Sequence, residues 1–197
     1  MLAVQQGFFW GDHHHHLQTP YLSFSDTLYT HPEVDWHYHP NPYFTYILKG
    51  ELFEGHQKSH YHLREGRLLY HNWQEPHYNI KPPGQTRGVH LELTPEWFQQ
   101  YDIPLDWLTG SLRITGPQVH LLFHEVYHEI QYVDHFPQAA LDTLIIELLS
   151  AIRKEREIQT KIPPPWVKEL KEILHEDSQL GPLNELAARL QIHPVHL

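Results

Sequence analysis

The chain has 197 residues, enough for one large domain or a medium one with an appendage. Its hydrophobic content of 40% supports a packed core, no run reaches the ~20 apolar residues of a membrane span, and the lack of cysteine excludes disulfides, thiolate nucleophiles and Cys-type zinc sites. A net charge of −10 argues against nonspecific DNA binding by the chain as a whole. The start, MLAVQQGFFWGD, lacks the basic stretch and apolar run of a secretory signal, so a cytoplasmic protein is expected. Twenty histidines are the compositional oddity. The four at 13–16 are expected in a solvated polar loop with adventitious affinity for nickel or zinc.

Residues 1–115 read as short strands separated by turn residues. In YFTYILKGELFEG, Tyr43, Thr45 and Ile47 fall on one face and Phe44, Tyr46 and Leu48 on the other. Lys49-Gly50 then reads as a hairpin turn, with ELFEG returning as the partner strand. SHYHLREGRLLYHN repeats the scheme, and PHYNI and RGVHLEL add two more strands. Many short strands without intervening helices predict an antiparallel barrel or sandwich.

Residues 116–162 change period. Val119, Leu122, Phe123, Val126 and Ile130 form one helical stripe. Leu141, Leu144, Ile145, Leu148, Leu149 and Ile152 form a second, expected to start near Pro137 and to end in RKERE. Such a pair is a natural dimer surface, so a homodimer is expected. KIPPPW then reads as a stiff linker. From 163 to 197 the stripe Trp166, Val167, Leu170, Ile173 and Leu174 precedes LNELAARLQIHPVHL.

His37 and His39 are two apart, so in a strand both rings face the same way, and His77 follows a later strand. Three imidazoles converging inside a barrel suit a divalent metal such as zinc, nickel, iron or manganese, with an open position for water or ligand. The alternative is that the same rings line an organic pocket without metal. Tyr43 joins the candidate ligand-binding residues, with Tyr46 and Trp73 as aromatic walls. His60, His62 and His71 lie on neighbouring strands and are expected to divide between surface and pocket. No phosphate-cradling loop, nucleophile elbow or His-Glu-x-x-His stands in the chain, so no catalytic residue is assigned and no enzyme is expected.

His37, His39, Gly50, Gly66 and His77 resemble the two motifs of the cupin superfamily in type and spacing. Two departures stand out. The glutamate position falls on Tyr43 or Phe44, and the Pro-x-Gly turn reads Asn72-Trp73-Gln74. The resemblance implies an α+β chain with an antiparallel cupin-like barrel, and the missing carboxylate removes the family's anionic ligand.

In the last fifteen residues, Leu183, Leu186, Ala187 and Leu190 form a helical stripe. Gln191 and Ile192 read as a turn, His193 as a cap, and Pro194 as the first residue of a new helix anchored by Leu197. With the barrel and connector before it, this segment resembles the start of the DNA-binding region of AraC-type transcription regulators. That resemblance implies an effector-binding barrel at 1–115, a dimerising connector at 116–162, and an incomplete helix-turn-helix at 163–197. A small-molecule effector would be the partner here, and DNA the partner of the intact protein alone. His193, Pro194, Val195 and His196 would open a recognition helix whose body lies outside this chain, and Lys168, Lys171 and Arg189 are too few to hold a duplex. The other reading of the same residues is a metal-dependent cupin enzyme acting on a small polar or aromatic substrate.

Overall fold

The computed structural model describes residues 2–132, 138–160, 164–176 and 182–196. Pro137, residues 161–163 of the proline linker and Leu197 lie outside them. The chain divides into two compact units, residues 1–153 and 154–197. It is an α+β structure with predominantly antiparallel sheets.

In the first unit the strands form two separate sheets instead of a closed barrel. One has the order β1 (Leu2–Ala3), β4 (Glu33–Tyr38), β9 (His77–Ile80), β6 (Glu51–His56), β7 (His60–Arg64). The other runs β11 (Leu112–Ile114), β8 (Leu68–His71), β5 (Tyr43–Lys49), β10 (Thr86–Leu93), β3 (Leu22–Tyr29), β2 (Asp12–Gln18). All pairings are antiparallel except β1 on β4.

Two expectations are corrected. β5 and β6 are consecutive but do not form a hairpin: β5 pairs with β8 and β10, and β6 with β7 and β9. Gly50, at φ +76°, is a corner between sheets, where a Cβ would come within 2.4 Å of the Gln85 carbonyl oxygen. β7 and β8 are likewise split between the two sheets. The four histidines at 13–16, read as a loop, belong to edge strand β2, with a register shift between His13 and His15. Pairing with β3 supplies the backbone partners that a polar sequence does not advertise.

Alternation along β5 and β10 decides what each layer receives. Phe44, Tyr46, Val89 and Leu91 enter a core that also contains Val119, Phe123 and Val126 of α2 (Pro117–Tyr132) and Leu141, Ile145, Leu148 and Ile152 of α3 (Gln138–Thr160). Full burial of each such side chain contributes about 1.5–3 kcal/mol. Both predicted helical stripes are thus buried, although α3 runs on through RKERE to Thr160. A short helix missed in the sequence, α1 (Pro95–Gln100), buries Trp97, whose Nε1–H donates to Asp142 Oδ1 at 2.8 Å. Residues on the opposite faces of the strands, among them Tyr43 and Thr45, project between the sheets.

The second unit contains α4 (Pro165–Glu176), α5 (Leu183–Arg189) and a 3-10 turn at Pro194–His196. Ile173, Leu186 and Leu190 form its small core, packed by Trp166, Leu170 and Ile192. Leu174, placed on the apolar stripe in the sequence, is instead exposed. Ala187 is fully buried, and Gln191 takes the left-handed conformation at φ +54°. The Ile192 N–H returns to the Ala187 carbonyl, and the Val195 N–H donates to His193 Nδ1 at 3.3 Å, the geometry of a helix cap. The 3-10 turn leaves Val195 exposed.

Candidate functional site

Strand register assembles the site. His37 on β4 stands directly opposite His77 on β9, and His77 stands opposite His56 on β6. Three imidazoles thus cross adjacent strands of one sheet. In the facing sheet Tyr43 pairs with His71, and Thr45 with His90. Cross-strand neighbours on one face lie about 4.5–5.5 Å apart, so these rings must touch. The His37 and His77 centroids are 4.2 Å apart, and Tyr43 stacks on His71 at 3.8 Å.

The cavity between the sheets is lined by His37, His39, Tyr43 and His77, together with Phe9, Trp10, Tyr29, Thr45, Glu54 and His90. The N-terminal segment closes one side of it. Phe9 stacks on His90 at 3.7 Å and on His39 at 4.8 Å, Trp10 meets His37, and the Gly7 N–H donates to Glu92 Oε2 at 2.7 Å. About 30 Å³ is free for a guest, room for an ion or a water and not for an organic molecule unless side chains move.

The ring nitrogens of His37, His39 and His77 that face one another lie within 4.8 Å of one another, and all three residues are buried. His37 Nδ1 donates to the Asp35 carbonyl at 2.8 Å and His77 Nδ1 to the Glu75 carbonyl at 3.0 Å. A carbonyl only accepts, so both rings carry the proton on Nδ1 and present an Nε2 lone pair. Burial lowers His37, and it holds His39 well below the usual histidine range, with His77 and His37 adding to the effect. Burial also brings His77 down to about 3. All three rings are neutral at neutral pH, as metal ligation requires. His39 Nδ1 is buried without a hydrogen-bond partner. The trio therefore fits a divalent ion, which when bound would act there as a Lewis acid. No carboxylate belongs to the trio; at Tyr43, one of the two positions onto which the cupin glutamate falls, the hydroxyl meets His77 Nε2 at 2.9 Å.

Beside the trio lies a carboxylate that the motif reading did not find. Glu54 is buried, with Oε1 2.6 Å from His56 Nε2 and 3.1 Å from His71 Nδ1. Burial alone would raise the Glu54 carboxyl, but His71, His77 and the hydrogen bond from His56 hold it well below its ordinary value. Burial would likewise lower His56, but hydrogen bonds to Glu54 and Glu75 lift it to about 9. The interior thus contains a buried imidazolium–carboxylate pair next to neutral rings. The signal was present in the sequence: Glu54-x-His56 has the two-residue spacing of His37-x-His39.

Two expected aromatic walls are elsewhere. Tyr46 is three residues from Tyr43, so alternation turns it to the opposite face, where its hydroxyl meets His124 Nε2 at 3.0 Å. Trp73 lies in the turn before β9, exposed and outside the cavity lining. His71 faces inward, whereas His62 pairs with Glu51 and stacks on Phe53 on the outer face, and His60 is exposed.

No protein-family model matches the chain, and no curated protein matches it. Solved structures do. A cupin-2 domain containing protein from Shewanella frigidimarina is 13% identical over 43% of this chain and 85% of its own, with a TM-score of 0.36. KdgF from Halomonas sp. is 13% identical over 41% of this chain and 77% of its own, with a TM-score of 0.36. ToxT from Vibrio cholerae is 9% identical over 86% of this chain and 72% of its own, with a TM-score of 0.49. Among the described residues no helix is long and apolar enough to cross a membrane.

Proposed function

We propose that this chain is the effector-sensing and dimerisation portion of an AraC-type DNA-binding transcription regulator, built on a cupin-like pocket. The observation that carries the reading is the turn after α5. A fully buried alanine, a left-handed Gln191, an inward Ile192 and a His193-capped turn support reading this stretch as the entry into a recognition helix, beginning at His193, Pro194, Val195 and His196. The polar cavity supplies the sensing half. With so little free volume, an organic effector enters by displacing side chains, and the Phe9–Trp10 segment is a part of the wall that lies outside both sheets. A regulatory output requires that the effector favour one arrangement of that wall over another.

The test joins binding, turnover and output. A small-molecule panel is screened by thermal shift, and each binder is incubated with the protein and analysed for product. Residues 1–182 are also fused to a complete pair of helix-turn-helix units upstream of a reporter gene. A sensor gives saturable binding, unchanged ligand and effector-dependent transcription. Product formation that scales with metal content would refute it in favour of a metal-dependent enzyme acting on a small polar or aromatic substrate. The three neutral imidazoles favour that second reading. Light scattering across concentrations tests the homodimer.

A further inference from the structure

Glu54, His56 and His71 form a second buried group whose ligand atoms lie within 4.8 Å of one another. None of the three belongs to the cupin-like motif positions. His71 Nδ1 is buried and, despite its 3.1 Å approach to Glu54 Oε1, has no aligned hydrogen bond. Each member is also held from behind. Asn79 Nδ2 donates to Glu54 Oε2 at 3.0 Å. Glu75 Oε1 lies 3.2 Å from His56 Nδ1, while its Oε2 accepts from Ser111 N–H and Oγ–H, both at 2.9 Å. Thr45 Oγ1 lies 2.9 Å from His71 Nε2. Outer partners that fix the orientation of ligating rings and carboxylates are what metal sites require.

We propose that Glu54, His56 and His71 form a second site for a divalent transition-metal ion, separate from His37, His39 and His77. Two imidazoles and one carboxylate are the ligand set of facial-triad sites with open positions. This set also has the anion that the three-histidine group lacks, which lowers the cost of placing a dication away from water. The proposal depends on neither the regulator nor the enzyme reading.

Binding displaces the His56 Nε2 proton to solvent, leaving a neutral ring whose Nδ1–H still faces Glu75. Ligation by His71 Nδ1 needs the ring proton on Nε2, and the surroundings accept that tautomer. Tyr29, His90, Thr45 and His71 form a chain with spacings of 2.9, 3.2 and 2.9 Å. With His71 Nε2–H donating to Thr45, the Thr45 hydroxyl donates to His90 Nδ1 and His90 Nε2–H donates to Tyr29. Reversing the direction keeps every bond and moves no heavy atom. In the metal-bound direction the Tyr29 hydroxyl is an acceptor within the chain, and its own proton is free to face the cavity. The second ion would thereby set the hydrogen-bonding face shown to a guest.

The experiment loads metal-free protein with Zn(II), dialyses it against a weak chelator to strip the exposed histidines of β2, and counts retained zinc by elemental analysis. Two equivalents are expected, with His37→Ala, Glu54→Gln and His71→Ala each keeping one. A single equivalent that His37→Ala keeps and Glu54→Gln loses also supports the site. A single equivalent with the opposite pattern, or no retained zinc, overturns it. Histidine-ring nitrogen NMR of the unsubstituted chain reads the same site should a variant fail to fold. Zinc is expected to shift His71 Nδ1 and His56 Nε2, and shifts confined to His37, His39 and His77 overturn the proposal.

Discussion

Taking the metal-free chain from about pH 7.5 to about pH 5.5 is expected to lower folding stability, by up to about 3 kcal/mol. His77 sits at about 3 in the folded chain, against about 6.5 for an unperturbed imidazole. Its folded value is depressed, so across this interval the unfolded chain binds a proton that the folded chain does not. Linkage makes that about 1.4 kcal/mol by the acid end. His39 and His90, both held well below the ordinary range chiefly by burial, add losses of the same sign, which the interval caps at the same size. The three together come to at most about 4 kcal/mol. His56 opposes them. Its folded value is raised to about 9, so its contribution is fully present below about pH 6.5 and is lost as pH rises through about 9. Over the same interval it returns about 1.4 kcal/mol. Glu92, raised by burial, trims the loss a little further. A net loss near that bound is a large part of the ~5–15 kcal/mol of an ordinary domain. Urea unfolding followed by tryptophan fluorescence at both pH values measures it. A midpoint that is unchanged or higher at the acid end would refute the reasoning, because the rings would then not be buried as neutral bases.

Tyr43→Phe frees His77 Nε2 from its hydroxyl partner, and zinc affinity at the three-histidine group is expected to rise several-fold in a chelator competition; a fall would mean that the hydroxyl helps hold the ion. Leu148→Ala, at a fully buried position of α3, is expected to cost about 2–5 kcal/mol in chemical denaturation. Gly50→Ala combines positive φ with a close carbonyl and is expected to destabilise by more than about 1 kcal/mol, whereas a simple hairpin glycine on an open turn would cost less. Gln191→Gly relieves a left-handed side-chain residue and is expected to slow hydrogen exchange at the Ile192 amide, with a local gain of about 1 kcal/mol.

How much of the site was legible depended on whether residues were near one another in sequence. His37 lies in β4 and His39 one residue past its end at Tyr38, and the convergence of the two rings followed from the alternation of an extended chain. His56, His71 and His90 come from three further strands, and only the pairings β6–β9 in one sheet and β5–β8 and β5–β10 in the other bring them into the space between the sheets. Tyr46 is the converse case, because the alternation that places Tyr43 in the cavity sends Tyr46 toward α2.

By itself the amino-acid sequence determined the properties that are periodic or local. These were the change from strand to helix near residue 116, the two buried stripes of α2 and α3, and the turn at Gln191, since side-chain direction along one element follows from its own repeat. Tertiary structure decided which strands became neighbours. Gly50 is a corner instead of a hairpin, the histidine tract is an edge strand, and Glu54 reaches the histidine cluster that the motif left without a carboxylate. Strand pairing is non-local: each chain segment presents the same backbone donors and acceptors, and only burial of the whole selects the partner.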